Sequence, residues 1–475
     1  MGSMDGRVKT MHGDNFWSAR IRMTEKASEA LKEDLMTSDE VLQRCRELHV
    51  KFVRLQFTDI LGIVKNVAIP IKSLPDALMG RMMFDGSSIE GFVRIEESNM
   101  YLAPDPNTFA TFPWTEANGL TARLLCDIKN LDGTPFQGCP RSALKRVLTE
   151  AHELGYRVMV GPEPEFFLFQ QDEYGQPTVK TTDSAGYFDL SPSELGEVAR
   201  RDIALALEEM GMEIEATHHE VSPGQHEIDF SFADALTCAD NIVTFRVVAR
   251  TVSHRLGFHA TFMPKPMAGV NGSGLHLHQS LMRVDGNAFW DESEPYGISR
   301  VATQYIAGLM AHAAALTAVT NPLINSYKRL VPGYEAPVYI AWSTGNRSPM
   351  IRVPTMQGES TRIELRSPDP SCNPYLALAA TIKSGLDGIK HGYDVPRPVT
   401  RNLYRMHESE RRELGIGQLP ENLSEALDAL ERDLVVKDAL GEHIWSRFVE
   451  AKRLEWDVYR HEVHSWELDQ YLTVY

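Results

Sequence analysis

The 475-residue chain has no Cys-x-x-Cys pair. Its five cysteines, Cys45, Cys126, Cys139, Cys238 and Cys372, stand far apart, so neither a zinc site nor a disulfide framework is indicated and a cytoplasmic, reducing location is expected. Long apolar runs are also missing. The longest, Tyr305 to Val319, is broken by His312 and falls short of the ~20 residues that span a bilayer, so it reads as a buried helix and no membrane partner is expected. Basic residues are in deficit, 48 against 65 acidic ones; the net charge of -17 argues against direct nucleic-acid binding and suits a protein that needs cations. Residues 1–35 lack both the apolar core of a secretory signal and the Arg/Ser-rich pattern of a transit peptide, and they read as a disordered N-terminal extension. The Gly-rich stretch GVNGSG at 269–274 lacks the Lys-Ser/Thr of a Walker A loop, which excludes a P-loop there. No internal repeat or low-complexity tract is present.

The pattern that remains divides near residue 140. Ser38 reads as the N-cap of an amphipathic helix over 38–49 with Val41, Leu42, Cys45 and Leu48 on one face. Phe52 to Phe57 and Ile63 to Ile69 read as a strand pair, and more short strands run to Asp127. The turn-rich segment from Leu131 to Pro140 marks a boundary, giving an N-terminal domain over 38–140 and a second over 141–475. Beyond it strands alternate with longer helices, ending in a charged amphipathic helix over Leu423 to Val463 and a short apolar tail.

Chemistry-bearing residues fall on strand faces. In GPEPEFFLF, alternation puts Glu163 and Glu165 on one face and Pro164, Phe166 and Leu168 on the other. In HHEVSPGQHE, a two-residue loop at Pro223-Gly224 would set Glu220 directly opposite Glu227. His276, His278 and Ser280 share one face of a further strand, and Arg362, Glu364 and Arg366 share another. Taken singly, each reads more readily as a solvated acid or a structural histidine than as a ligand. If the five carboxylates converged, their charge of about -5 would repel by several kcal/mol at intermediate dielectric. Two divalent cations would nearly neutralise it, and oxygen donors with one imidazole suit Mg²⁺ or Mn²⁺ better than zinc. Spacing alone does not make them converge.

Seven motifs occur in order: FDGSSIEGF at 84–92, GPEPEFFLF at 161–169, HHEVSPGQHE at 218–227, NGSGLHLHQS at 271–280, NSYKRLVPGYEAPV at 325–338, NRSPMIRVP at 346–354 and TRIELRSPDPSCNPYLA at 361–377. Together they resemble the type I glutamine synthetases, in the shorter, non-adenylylated subclass of Gram-positive bacteria, from about Ser38 to Tyr475. The resemblance implies an α+β fold: an N-terminal β-grasp-like domain, then a catalytic domain with a curved, mainly antiparallel sheet and flanking helices. It implies ligation of ammonia to the γ-carboxylate of L-glutamate with ATP, through γ-glutamyl phosphate, giving L-glutamine, ADP and phosphate.

Carried onto this chain, the family's pattern has Glu165, Glu220 and Glu227 on one cation and Glu163, His276 and Glu364 on a second, Mg²⁺ or Mn²⁺, two per active site. It assigns glutamate to Asn271, Gly272, Arg329, Glu335, Arg347 and Arg366. ATP falls to Glu215, His278, Ser280, Arg347, Arg352 and Arg362. Asp85 is the implied base for ammonium, with Ser88, Tyr187 and Glu220 around it, and Glu335 sits on a loop that closes against water, with Pro332 and Gly333 suited to a hinge. Arg94, in EGFVRIEES, resembles an arginine tied to feedback inhibition by glutamine. Tyr404 falls where some type I enzymes are adenylylated, although its surroundings match the subclass that is not.

The family also implies a homo-oligomer of two stacked hexameric rings with shared active sites, the C-terminal HSWELDQYLTVY reaching between rings, and it allows a nitrogen-responsive transcription factor as a further partner. One departure stands out: Asn99 occupies a position usually acidic, near the ammonium site. A γ-glutamyl ligase for a larger amine is the rival reading that this change favours. A noncatalytic nitrogen-regulatory protein is the other, against which all six expected cation ligands are present.

Overall fold

The computed structural model describes residues 35–87, 89, 99–190, 195–355 and 358–475; Ser88, Arg94 and nearly all of the expected extension over 1–35 lie outside them. The first helix spans Ser38–Glu47, and its N-cap is Thr37, one residue earlier than the sequence reading placed it. The reason is a capping box: the Thr37 hydroxyl accepts from the Glu40 N–H, and the Glu40 carboxylate accepts from the Thr37 N–H at 2.6 Å.

This helix packs on a sheet in which Phe52–Thr58 pairs antiparallel with Val64–Pro70 and parallel with Thr121–Lys129. Asn99–Pro104 and then Met82–Asp85 follow towards the other edge. Inward alternation buries Val53, Leu55, Leu102, Leu124 and Ile128. The outer strand ends at Asp85, which lies opposite Asn99, and both are exposed.

The larger sheet is built on one long strand, Arg157–Gln171. Its first half pairs antiparallel with Leu275–Arg283 and its second half with Gln225–Phe230, which carries Ile214–His219 beyond it. On the other side Ile363–Leu365, Ile351–Arg352 and Trp342–Ser343 continue the sheet, and only the last pairing is parallel. Helices Ala235–Arg255 and Pro374–His391 cover the apolar side. Helix Pro374–His391 crosses Arg300–Ala311 so closely that a Cβ on Gly308 or Gly388 would lie 2.1 Å from the other helix's backbone.

The two sheets are clamped by Arg141. Its guanidinium donates to Asp240 at 2.8 and 3.0 Å, to Asp127 at 3.0 Å and to Asp105 at 2.8 Å, all deeply or largely buried. Removing one partner of such a buried charged set costs about 3–5 kcal/mol, so this contact fixes the smaller sheet against helix Ala235–Arg255.

Two long helical readings divide. The run from Tyr305 to Val319 is split into Arg300–Ala311 and Ala313–Thr320 at His312. Leu423 to Val463 forms three helices, Leu423–Arg432, Leu434–Leu440 and Glu442–Tyr459, with breaks at Asp433 and Gly441. One interaction joins the two breaks. His312 Nδ1 lies 2.7 Å from Asp433 and Nε2 3.1 Å from Asp387, so both ring nitrogens face carboxylates. Burial alone would lower its pKa, but the two acids outweigh burial and raise it. A raised histidine stabilises the fold fully below its unfolded value of about 6.5, and that contribution is lost as pH rises through the folded value. The expected result is a thermal-midpoint gap between wild type and His312→Gln that is widest near pH 6 and closes at higher pH. A gap independent of pH would contradict it. Among the described residues no helix is long and apolar enough to cross a membrane.

Candidate active site

Register, which no single strand encodes, brings the acids together. Glu165 stands opposite Glu227, Glu163 opposite His276, and His278 opposite Glu364, on adjacent strands of the larger sheet. The hairpin differs from the expected two-residue loop. Glu227 faces His218, not Glu220, and the Glu220 N–H donates to the Gln225 carbonyl at 2.8 Å. The turn is longer because Gly224 adopts φ +68° and its N–H donates to Asp183 at 3.0 Å. Glu220 still shares a face with Glu227, because it lies two residues from Glu227's partner.

Two groups of cation-capable atoms result, each within 4.8 Å: Glu163 with His276 and Glu364, and Glu220 with Glu227 and His218. Glu165 lies between them, accepting from Gln225 Nε2 at 2.8 Å and from the Gly274 N–H at 2.9 Å, with its other oxygen 3.9 Å from His276 Nε2. His278 donates from Nε2 to Glu163 at 2.8 Å and accepts from Arg362 Nε at Nδ1.

The electrostatics divide these acids. Burial would raise Glu163, but His278 and His276 hold its carboxyl well below the usual range. Burial would raise Glu364 too, and Arg352 and Arg366 bring it down to about 2. Glu165 is pushed up by burial and by Glu220. Burial and then Asp229 push Glu227 well above the carboxylate range. Asp229 itself is held well up, by burial and by Glu163. Buried carboxylates in this state fit a divalent cation, which would supply the missing positive charge, and the oxygen-rich donor set with imidazole suits a hard or borderline ion.

Asp229 and His218 are the site residues that the sequence reading missed. Each lies two residues from a chosen glutamate on the same strand face, the signal that could have found them. A third group, Asp183, His219 and His226, faces the other way. Arg200 already stands 2.8 Å from His226 Nδ1, so this group is a poor cation site and serves as a brace behind the hairpin.

Around the acids lie the residues expected for substrates. Arg329 is buried and donates to the carbonyls of Ser367 at 2.7 Å and Arg366 at 3.2 Å; Arg366 donates to Glu364 at 3.0 Å and to the Arg347 carbonyl. Arg352 also donates to Glu364, and Ser280 lies two residues beyond His278 on the same strand face. Asn271 Nδ2 donates to Glu335 at 2.8 Å, and Gly272 passes so near Pro264 that a Cβ would lie 2.2 Å from its carbonyl. Glu215 accepts from Ser231 on the outer strand of the hairpin. Tyr187 stacks on Phe188 at 4.0 Å and meets His218 edge-on; burial and the charges of Glu220 and Glu227 push its phenol up to about 12. Arg347 is exposed at a loop tip. Asp85 stands apart from this set, on the smaller sheet, accepting from the Ser87 N–H at 2.8 Å.

The family model "Glutamine synthetase, catalytic domain" matches residues 137–471, and "Glutamine synthetase, beta-Grasp domain" matches 49–131. Glutamine synthetase of Staphylococcus aureus (strain MRSA252) is 56% identical over 440 residues, 92% of this chain and 99% of that protein. That of Clostridium saccharobutylicum is 56% identical over 439 residues with the same coverage. Among solved structures, a GmaS–ADP complex superimposes with a TM-score of 0.83 at 32% identity, covering 91% of this chain and 99% of that one. The cryo-EM structure of Plasmodium falciparum glutamine synthetase gives 0.81 at 27% identity, with 92% and 98% covered. The chain belongs to the glutamine synthetase family, in its Gram-positive type I class.

Proposed function

We propose a division of labour among these residues for the reaction that the chain catalyses, the ATP-dependent ligation of ammonia to L-glutamate. The observation that carries it is the pair of acid–imidazole groups on one sheet face, bordered by buried Arg329 and Arg366. Family members use ATP and divalent cations; here we assign two, Mg²⁺ or Mn²⁺, one to Glu163, His276 and Glu364 and one to Glu165, Glu220 and Glu227. His218 stands close enough to share the second set. Bound there, such ions supply positive charge for the phosphate oxygens and the substrate carboxylate.

Arg329 and Arg366 are suited to glutamate because a guanidinium meets a carboxylate with two parallel donors, and Asn271 and Gly272 would complete that pocket. Glu215, His278, Ser280, Arg352 and Arg362 are assigned to ATP. The γ-carboxylate of glutamate attacks the γ-phosphorus, ADP leaves, and γ-glutamyl phosphate forms, with Arg347 placed to neutralise the transferring group. Ammonia then attacks the acyl carbon and phosphate departs, after Asp85 has taken the proton of ammonium. The loop around Glu335 would keep water out meanwhile.

Asp85 lies on the N-terminal sheet, exposed, which supports a site completed by a neighbouring subunit and hence a homo-oligomer; stacked hexameric rings are the form we assign. We likewise read 38–140 and 141–475 as the two domains, and Arg94 as the feedback residue for glutamine.

The test of this reading is phosphate release from ATP, which should require glutamate, ammonium and the cation together and stop on chelation. Release that ignores glutamate would overturn it. A second expectation follows from the raised carboxyl of Glu227. A cation binds the ionised carboxylate, so a raised Glu227 makes affinity climb with pH, and binding releases protons wherever that carboxyl is still protonated. Calorimetry with Mn²⁺ in two buffers of different ionisation enthalpy should detect the release, and Glu227→Gln should diminish both it and the affinity. Equal heats in both buffers would contradict the expectation.

A further inference from the structure

Tyr404 lies in a segment that touches two loops of the site at once. The 3₁₀ turn Leu403–Arg405 is capped by Asn402, whose side chain accepts from the Tyr404 N–H at 2.9 Å, and Leu403 is fully buried beneath it. On one side this segment holds the loop that carries Arg347. Asn346 Nδ2 donates to the Arg401 carbonyl at 2.6 Å, and the Leu403 N–H donates to the Ser348 hydroxyl at 3.1 Å. On the other side the Tyr404 hydroxyl donates to the carbonyl of Ala336 at 2.7 Å, one residue after Glu335.

That carbonyl matters because of the backbone before it. Glu335 has φ +60°, a left-handed conformation that a non-glycine residue keeps only where its surroundings over-determine it. Three contacts do so. Asn271 holds the Glu335 carboxylate, the Lys265 ammonium sits 3.9 Å over the Tyr334 ring, and Tyr404 holds the Ala336 carbonyl. Asn271 belongs to the set assigned to glutamate, so its bond to Glu335 competes with substrate. The Tyr404 bond is to backbone and uses no side chain assigned to substrate. The phenol is also within electrostatic reach of Arg366, Arg329 and Glu335, and burial pushes it up, so it stays a donor at working pH.

We propose that Tyr404 is a positioning residue: its hydroxyl pins the Glu335 loop over the site in register with the Arg347 loop, and thereby keeps water from γ-glutamyl phosphate. The inference rests on the ligase reading above. When the loop lifts, water attacks the acyl phosphate, the bond between the γ-carboxyl and the phosphoryl group breaks, glutamate is regenerated and phosphate is released. The balance is then ATP and water consumed for ADP and phosphate, with no glutamine formed.

The test is Tyr404→Phe, which removes one oxygen and keeps the ring that packs 6.3 Å from Tyr339. Phosphate and glutamine are measured in the same reaction. Wild type should release close to one phosphate per glutamine; in the variant the phosphate released in excess of glutamine should rise about fivefold, the effect of losing one net hydrogen bond. The KM for ATP should stay within about twofold, because the change falls on the ground-state position of a loop outside the nucleotide set. Amide hydrogen exchange over 331–337, measured without turnover, should quicken in the variant and leave 374–391 unchanged. A wild-type enzyme that forms no glutamine would sink the ligase reading. A coupled wild type with an equally coupled variant and unchanged exchange would overturn the role of Tyr404 alone.

Discussion

Replacing Arg347 by alanine is expected to lower kcat by about 10³–10⁵-fold, the range for an arginine that neutralises a transferring phosphoryl group. The side chain is exposed at a loop tip, so its removal leaves no buried partner stranded and the fold should be untouched. The loop itself is rigidly mounted: Arg366 donates to the Arg347 carbonyl, and Asn346 and Ser348 on either side bond to the segment around Arg401 and Leu403. That mounting is what a charge aimed at a transition state requires, since preorganised donors cost no reorganisation during reaction. Its charge already acts on the site, opposing the rise of the Tyr187 phenol. Arg347→Lys should recover only part of the rate, because an ammonium keeps the charge and loses the planar fork. Steady-state phosphate release checks this, and a loss under about tenfold in the alanine variant would remove Arg347 from the phosphoryl step.

Asp85→Asn is expected to lower ammonium-dependent turnover by about 10²–10⁴-fold, the usual contribution of a general base. Here too the residue is exposed at a strand end, so stability should hardly change. The loss should shrink as pH rises, because bulk ammonium deprotonates by itself and the base becomes dispensable. Position adds a sharper expectation. Asp85 belongs to the smaller sheet and Arg347 to the larger domain, so mixing Asp85→Asn with Arg347→Ala subunits should rebuild intact sites where each subunit supplies what its neighbour lacks. Random exchange in a closed ring would restore about a quarter of the sites. Hybrids that stay inactive after verified subunit exchange would place Asp85 in the site of its own chain.

Much of the site was legible because strand alternation is local. Glu163 with Glu165 and His276 with His278 share faces as their spacing required. Pairing between strands was not legible. The offset between Glu220 and Glu227 depends on Gly224 and His219 both bonding to Asp183, some forty residues earlier in the chain, which no reading of HHEVSPGQHE alone contains. Asp229 is a different case: alternation along its own strand already put it on the face of Glu227, and only the burial that raises both carboxyls lies outside the sequence. The helices failed differently. His312 looked like a blemish in an apolar run, yet its bonds to Asp387 and Asp433 end one helix and join a second break some 120 residues away. Thr37 was a local error, since the Glu three residues on was visible in the sequence. The N-terminal sheet's first hairpin, by contrast, formed where alternation put it.

Asn99 bears on the nucleophile, since it faces Asp85 across the strand pair, where the resemblance to the family implies an acid. The most direct measurement is therefore competition: ¹⁵N-ammonium against putrescine and ethanolamine, with glutamate, ATP and Mg²⁺, and the products identified by mass. The account predicts ¹⁵N-labelled glutamine as the dominant product, formed one for one with phosphate. Products carrying the larger amine, with little labelled glutamine, would contradict it.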